Sequence, residues 1–143
     1  MLSYAKQVLH SFASLKKRNE MKIQRIVYWI TTGLFSLWMI SNAYAYLFSV
    51  EARKLCAHFG FPDYFRVELG IAKCIGVVIL LAPIIKGRPK EWAYAGFVIT
   101  IISGFIAHLS SGDSLRVASS ALIALHILLI SYYYYQRTQV QDK

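Results

Sequence analysis

Residues 26–50 form a run of 25 with no charged side chain. Eighteen or more such residues, wound into an α-helix, reach across the hydrocarbon core of a bilayer. A spanning segment must satisfy its backbone internally, as a helix or as part of a closed barrel, and this run is far longer than a barrel strand. Two more charge-free runs, 92–112 with 21 residues and 117–136 with 20, each carry one histidine and read the same way. A fourth segment, 67–85, is apolar apart from Glu68 and Lys73, and lies between Pro62 and the Gly87/Pro89 pair. The predicted spans are 26–48, 67–85, 92–110 and 117–135. Short connections make neighbouring helices antiparallel, so the expected fold is all-α, an integral membrane four-helix up-down bundle over residues 26–136.

Composition agrees, since 57% of residues are hydrophobic and 16% charged, against about a quarter charged in a soluble domain. The net charge of +9 would suggest a nucleic-acid partner in a soluble protein, but its distribution points elsewhere. Lys6, Lys16, Lys17, Arg18, Lys22, Arg25, Lys86, Arg88, Lys90, Arg137 and Lys143 all fall on one side of the predicted spans. Arg53, Lys54, Arg66 and Arg116 fall on the other. Positively charged loops stay cytoplasmic, so both termini are expected to be cytoplasmic. The basic excess serves topology and attraction to lipid headgroups, and no nucleic acid is needed.

Trp and Tyr favour the membrane interface. Tyr28, Trp29, Trp92, Tyr94 and Tyr132 to Tyr135 are expected in an inner belt, and Tyr44, Tyr46, Tyr64 and Phe65 in an outer one. Residues 1–25 are basic and admit two readings. Leu2, Ala5, Leu9, Phe12 and Leu15 recur at helical spacing, as in an amphipathic helix lying on the cytoplasmic face; alternatively, Met21 is the true start. Lys22 and Arg25, the apolar run and Ala43-Tyr44-Ala45 imitate a cleavable signal peptide, but the run is too long for one and continues past the site. Residues 137–143 are expected as a short cytoplasmic tail.

The thiols Cys56 and Cys74 stand 18 residues apart without a CxxC pair, which leaves no zinc motif, no metal site and no disulfide framework. Cys56, in the outer loop, reads as the more accessible; Cys74, beside Lys73, reads as a small packing residue.

Ionisable groups inside a bilayer are costly and mark functional sites. The candidates for ligand binding are Asn42, Glu68, Lys73, His108 and His126, with Ser41 as a further neutral partner. At about 1.5 Å per residue, Glu68 lies at the outer mouth of its span and Lys73 about 7 to 8 Å deeper. Asn42 and His108 also fall in the outer half, so one polar pocket would collect them. His126 lies near mid-membrane and reads as an interhelical hydrogen-bonder rather than a proton relay. Residues five apart on a helix are separated by about 140°, so Glu68 and Lys73 do not share a face. Lys73 shares its side with Gly70 and Gly76, small residues that permit close helix contact, which directs it into the bundle. Gly33, Gly96 and Gly104 could serve contacts within the chain or between two copies. No residue pattern identifies a catalytic group.

Several features together resemble the DoxX-like family of small four-helix membrane proteins. They are Tyr28-Trp29 opening the first span, residues 55–64 with Phe-Gly-Phe-Pro before a Tyr, and Lys73-Cys-Ile-Gly76. The segment from Lys90 to Phe97, then Ala107-His108-Leu109 and Gly112-Asp113, completes the set. The resemblance covers about residues 21–135. It implies a bacterial inner-membrane protein, with a family name taken from subunits of a thiosulfate:quinone oxidoreductase and with other relatives acting as accessory or assembly factors. Many members carry Glu at the position of Lys73, so a mechanism needing a carboxylate there does not carry over.

Three function classes follow. The first is a non-catalytic accessory or ligand-binding subunit with a lipid-like ligand or protein partner, alone or as a homo-oligomer. The second is the membrane component of a quinone-linked thiosulfate or thiol oxidoreductase. No cofactor motif is evident, and quinone chemistry would require a partner enzyme carrying the redox centre. The third is a small transporter, for which the inner halves of the spans offer only Thr31, Thr32 and Thr100 besides His126.

Overall fold

A computed structural model describes residues 2–141 as five helices, with no strand among the described residues: α1 (Leu2–Phe48), α2 (Val50–His58), α3 (Asp63–Leu81), α4 (Arg88–Ser110) and α5 (Leu115–Gln141). Three contain stretches long and apolar enough to cross a membrane: His10–Phe48, Arg88–Ser110 and Leu115–Val140. α3 is different because Asp63, Arg66, Glu68 and Lys73 fall within its 19 residues. α1 packs against α3 and α5, and α4 closes the circuit by packing against the same two helices.

The N-terminal segment is no separate helix, since α1 runs unbroken for 47 residues. Phe12 and Leu15 are exposed on it; the side chains of Leu2, Ala5, Lys6 and Leu9, and all of Lys143, lie outside the described residues. α1 stops where Ser49 turns extended, and the Ser49 hydroxyl then caps α2 by accepting from the amides of Glu51 at 3.1 Å and Ala52 at 3.4 Å.

Two glycines end helices at the same end of the molecule. Gly60, at φ 76°, follows α2, with the Gly60 amide bonded to the Ala57 carbonyl and the Phe61 amide to that of Cys56. Gly112, at φ 80°, follows α4, with the Gly112 amide bonded to Leu109 and the Asp113 amide to His108. Both are Schellman closures, in which a left-handed residue lets its own amide and the next one cap the last carbonyls.

Polarity is inverted relative to a soluble protein. Ile30, Leu34, Leu37, Val78, Ile99, Ile123 and Leu129 are exposed, while Thr32, Ser36, Lys73, Lys90 and Ser131 are buried. Such an exterior suits lipid, where small residues and hydrogen bonds rather than water-driven burial hold helices together. The molecule is a helical membrane protein. Its interior also holds Phe35, Met39, Val77, Leu80, Phe97 and Leu128.

Close helix approach depends on glycine at two places. A Cβ on Gly70 would stand 2.9 Å from Leu47, and one on Gly76 would stand 2.7 Å from the ring of Phe97. Phe97 cannot easily retreat, because it is buried and its edge meets Phe35 at a ring separation of 5.0 Å. A Cβ on Gly33, Gly96 or Gly104 would meet nothing within 4 Å, so close approach inside the chain does not depend on them. Gly76→Ala is therefore expected to destabilise the protein by about 1–3 kcal/mol in thermal unfolding in detergent. Phe97→Leu in the same chain should restore part of the loss, and Gly33→Ala should cost nothing.

Candidate binding cavity

α3 presents Arg66, Gly70, Lys73, Val77 and Leu80 inward, at alternating spacings of four and three. Lys73 thus enters the interior with only 6% of its surface exposed. Its ammonium donates a hydrogen bond to Asn42 Oδ1 of α1 and lies 3.7 Å from the centre of the Tyr46 ring. A carbonyl dipole and an aromatic face, both from α1, replace the water that the charge has lost.

These groups border a cavity of about 280 Å³. Asn42, Lys73 and His108 all line it, together with Trp38, Tyr46 and the aromatic side chains of Phe59, Phe61 and Phe65. The rings pack in sequence, Phe59 to Phe61 at 6.0 Å and Phe61 to Phe65 at 5.0 Å, and Phe59 meets the His108 imidazole edge-on at 4.8 Å. The link from α2 to α3 therefore covers one end of the cavity with aromatic surface.

His108 is held from behind. The closure at Gly112 returns the chain so that Asp113 Oδ2 accepts from His108 Nδ1 at 2.7 Å, while Asp113 Oδ1 accepts from His58 Nε2 at 3.3 Å. One carboxylate thus ties α2 to the last turn of α4. With Nδ1 donating, a neutral His108 keeps its acceptor at Nε2. Nearby, Arg66 donates from Nε to Asp63 at 2.8 Å and from Nη1 to the Tyr46 carbonyl, which fixes the start of α3 against α1.

Two predicted site residues lie elsewhere. Glu68 is exposed, on the side of α3 away from Lys73. His126 is also exposed, and its Nδ1 bonds to the Leu122 carbonyl of its own helix at 2.8 Å. α5 turns Ala124, Leu128, Ser131 and Tyr135 inward, and a residue two places from Ala124 is rotated about 200° from that face. Ser41 is exposed as well. The thiols reverse their expected order. Cys56 is 2% exposed because α2 lays Ala52 and Cys56 inward, whereas Cys74 is half-buried. Burial also pushes the Cys56 thiol up, against the opposing pull of Arg66 and Lys73.

The expected inner belt divides too. Trp92 and Tyr133 are exposed, but Tyr28, Tyr94 and Tyr135 are core residues. Tyr94 Oη and Thr32 Oγ1 each lie 2.7 Å from Ser131 Oγ, Tyr135 Oη accepts from the Gly87 amide at 2.8 Å, and Tyr28 Oη accepts from Lys90 Nζ at 2.9 Å. This network occupies the end of the helices opposite the cavity. Sequence reasoning missed Tyr46, Phe59, Phe61 and Phe65 as cavity residues, and His58 and Asp113 as the groups behind His108. The signals were the glycines at 60 and 112, which bring the flanking side chains back onto the helix ends.

An apolar exterior, three membrane-length helices and a cavity containing a lysine define the class of protein. The chain belongs to the DoxX-like family, whose model matches residues 30–131. Comparison with curated proteins finds no match, and neither does comparison with solved structures.

The hydrogen bond from His108, with a lesser one from His58, holds the Asp113 carboxyl below the usual carboxylate range. A depressed folded-state value stabilises the protein above the unfolded value of about 3.9, and that stability is lost as pH falls through the folded value. Asp113→Asn is expected to lower the unfolding midpoint in detergent at pH 7. The gap to the parent chain should close as the pH is taken below about 4.

Proposed function

We propose that the chain is a four-span protein of the bacterial inner membrane, with α1, α3, α4 and α5 as its bundle, both termini cytoplasmic and the Lys73 cavity in the outer half. In this reading it is a non-catalytic accessory subunit that holds a small, largely apolar ligand. The observation that carries the reading is Lys73, a buried ammonium presented to a cavity otherwise lined mainly by aromatic and aliphatic groups. At about 28 Å, 19 residues at 1.5 Å each, α3 is long enough to cross. Its charges fit a span, because Arg66 and Glu68 sit in its first two turns and Lys73 is partnered inside. A cavity of about 280 Å³ is at the small end of ligand sites, which begin near 300 Å³, so it suits one ring or head group rather than a whole amphiphile.

The alternative of a membrane component for a quinone-linked oxidoreductase is favoured by the same donor. An ammonium has three N–H donors, and Asn42 accepts from one. A quinone carbonyl would accept from another, its ring lying against Tyr46 or Phe59. The acceptor on neutral His108 would suit a hydroxyl of the reduced form. Bound quinone would supply two-electron redox chemistry; Lys73 and Asn42 would hold the ring and the three phenylalanines would exclude water.

A short-chain benzoquinone is the direct probe, read by quenching of Trp38 fluorescence with Trp38→Phe as the blank. Binding that weakens at least about tenfold in Lys73→Met, the size of loss for one buried charged hydrogen bond, and also in His108→Ala, supports the quinone reading. Binding unchanged by both substitutions defeats it, whereas no binding leaves the accessory reading to be tested by what the chain retains on extraction. Topology has its own test. An impermeant thiol reagent should label Glu51→Cys from outside and Arg88→Cys only from the cytoplasmic side, and the reverse pattern would overturn the orientation.

A further inference from the structure

Lys73 borders two hollows. Beside the cavity of about 280 Å³ runs a groove of about 370 Å³ between α3 and α4, and the two share Leu69, Lys73 and Thr100 as lining residues. Small side chains open the groove. Ala72 and Gly76 on α3, and Ala93 and Gly96 on α4, stand four and three residues apart, so each pair shares a face of its helix. Gly76 lets the helices touch at the Phe97 ring, whereas a Cβ on Gly96 would meet nothing within 4 Å, so space remains beside that contact.

At the junction the polar groups are turned away from the groove. The Lys73 ammonium is held by Asn42 and the Tyr46 ring, which line the cavity and not the groove, so its charge sits on the cavity side. The Thr100 hydroxyl donates to the Gly96 carbonyl of its own helix at 2.8 Å. From there the groove follows α4 from Thr100 to Pro89, about 16 Å of helix at 1.5 Å per residue. Ile75 at 56% and Trp92 at 75% exposure stand on its rim, so its long side opens onto the apolar exterior. A groove of about 340 Å³ between α4 and α5 shares only Ile99 with the cavity and does not reach Lys73.

We infer that the ligand of the Lys73 cavity carries a hydrocarbon tail, and that the groove between α3 and α4 is both the seat of that tail and the side entrance for the head. The ligand class is an amphiphile with a compact, hydrogen-bond-accepting head and a flexible apolar chain. This rests on the ligand-holding reading given above and extends it, since a cavity sized for one ring leaves the chain to lie elsewhere. Lipid is as apolar as the groove, so the tail adds little affinity of its own. What the groove supplies is room, and its signature is exclusion when that room is filled.

The test uses the full chain in lipid nanodiscs and two probes with one head, a methyl-substituted benzoquinone and the same ring with a decyl tail. Binding is read by Trp38 quenching, with Trp38→Phe as the blank. Each variant is compared with the parent chain for the same probe, so partition of the tail into lipid cancels. Gly96→Leu projects into the groove and should weaken the decyl probe about tenfold, the effect of forcing extra methylenes into an occupied space, with the methyl probe unchanged. Ala72→Leu should do the same from α3. Leu is a better helix former than Gly, so Gly96→Leu should not lower the unfolding midpoint. Lys73→Met should weaken both probes. If both groove variants leave the decyl probe unaffected while Lys73→Met weakens both, the tail proposal is overturned and the Lys73 cavity stands. A decyl probe that responds to the groove variants but not to Lys73→Met makes the groove a separate lipid site, which also overturns the proposal, as does a decyl probe that fails to bind the parent chain.

Discussion

A lipid-facing exterior gives the chain no water with which to satisfy polar groups, so each one must find its partner inside the protein or at an end. That constraint organises the structure. Thr32, Tyr94 and Ser131 bond one another, Tyr28 takes Lys90, and Asn42 with the face of Tyr46 takes Lys73. Even half-buried Thr100 and exposed His126 turn back to the carbonyls of Gly96 and Leu122 on their own helices. Among the described residues, Ser36 Oγ is the buried side-chain oxygen left without a hydrogen bond. The helices are correspondingly held by fitted contacts rather than by a large oily core, which is why Gly70 and Gly76 matter where they do.

The same constraint divides the molecule into two ends of different chemistry. At one end a single lysine sits among aromatic rings behind a carboxylate that clamps two imidazoles. At the other a lysine sits among tyrosines behind two further cations. Both ammonium groups rest on rings, but Lys73 has a side-chain carbonyl for a partner and Lys90 a hydroxyl. The first arrangement leaves N–H donors facing a cavity, whereas the second ties the lysine into the tyrosine network.

Much of this was legible in the sequence. Charge-free runs located the apolar helices, and the three-residue spacing of Gly70, Lys73 and Gly76 placed Lys73 on the packed side of its helix. Agreement in depth grouped Asn42, Glu68 and His108 with it, of which Asn42 and His108 line its cavity and Glu68 does not. What was not legible is rotation where no small-residue spacing marks the packed face. His126 looks like Lys73 as an ionisable residue in an apolar run, but lacks such flanking glycines, and only the partner helices decide that it faces outward. The tyrosines posed the same difficulty, because interface preference is an average property of the residue while Tyr28, Tyr94 and Tyr135 are buried by packing. Cys56 was misjudged because its segment was read as a loop, although Ser49 and Gly60 supply the cap and stop of a helix.

The central claim is that the Lys73 cavity holds a ligand. It is tested most directly by native mass spectrometry of the full chain, extracted from its own membrane in a mild detergent. The account predicts a small molecule retained in fixed proportion by the parent chain and by Arg25→Gln, and lost from Lys73→Met. A parent chain that emerges with no small molecule, or a Lys73→Met chain that retains the same one, would contradict it.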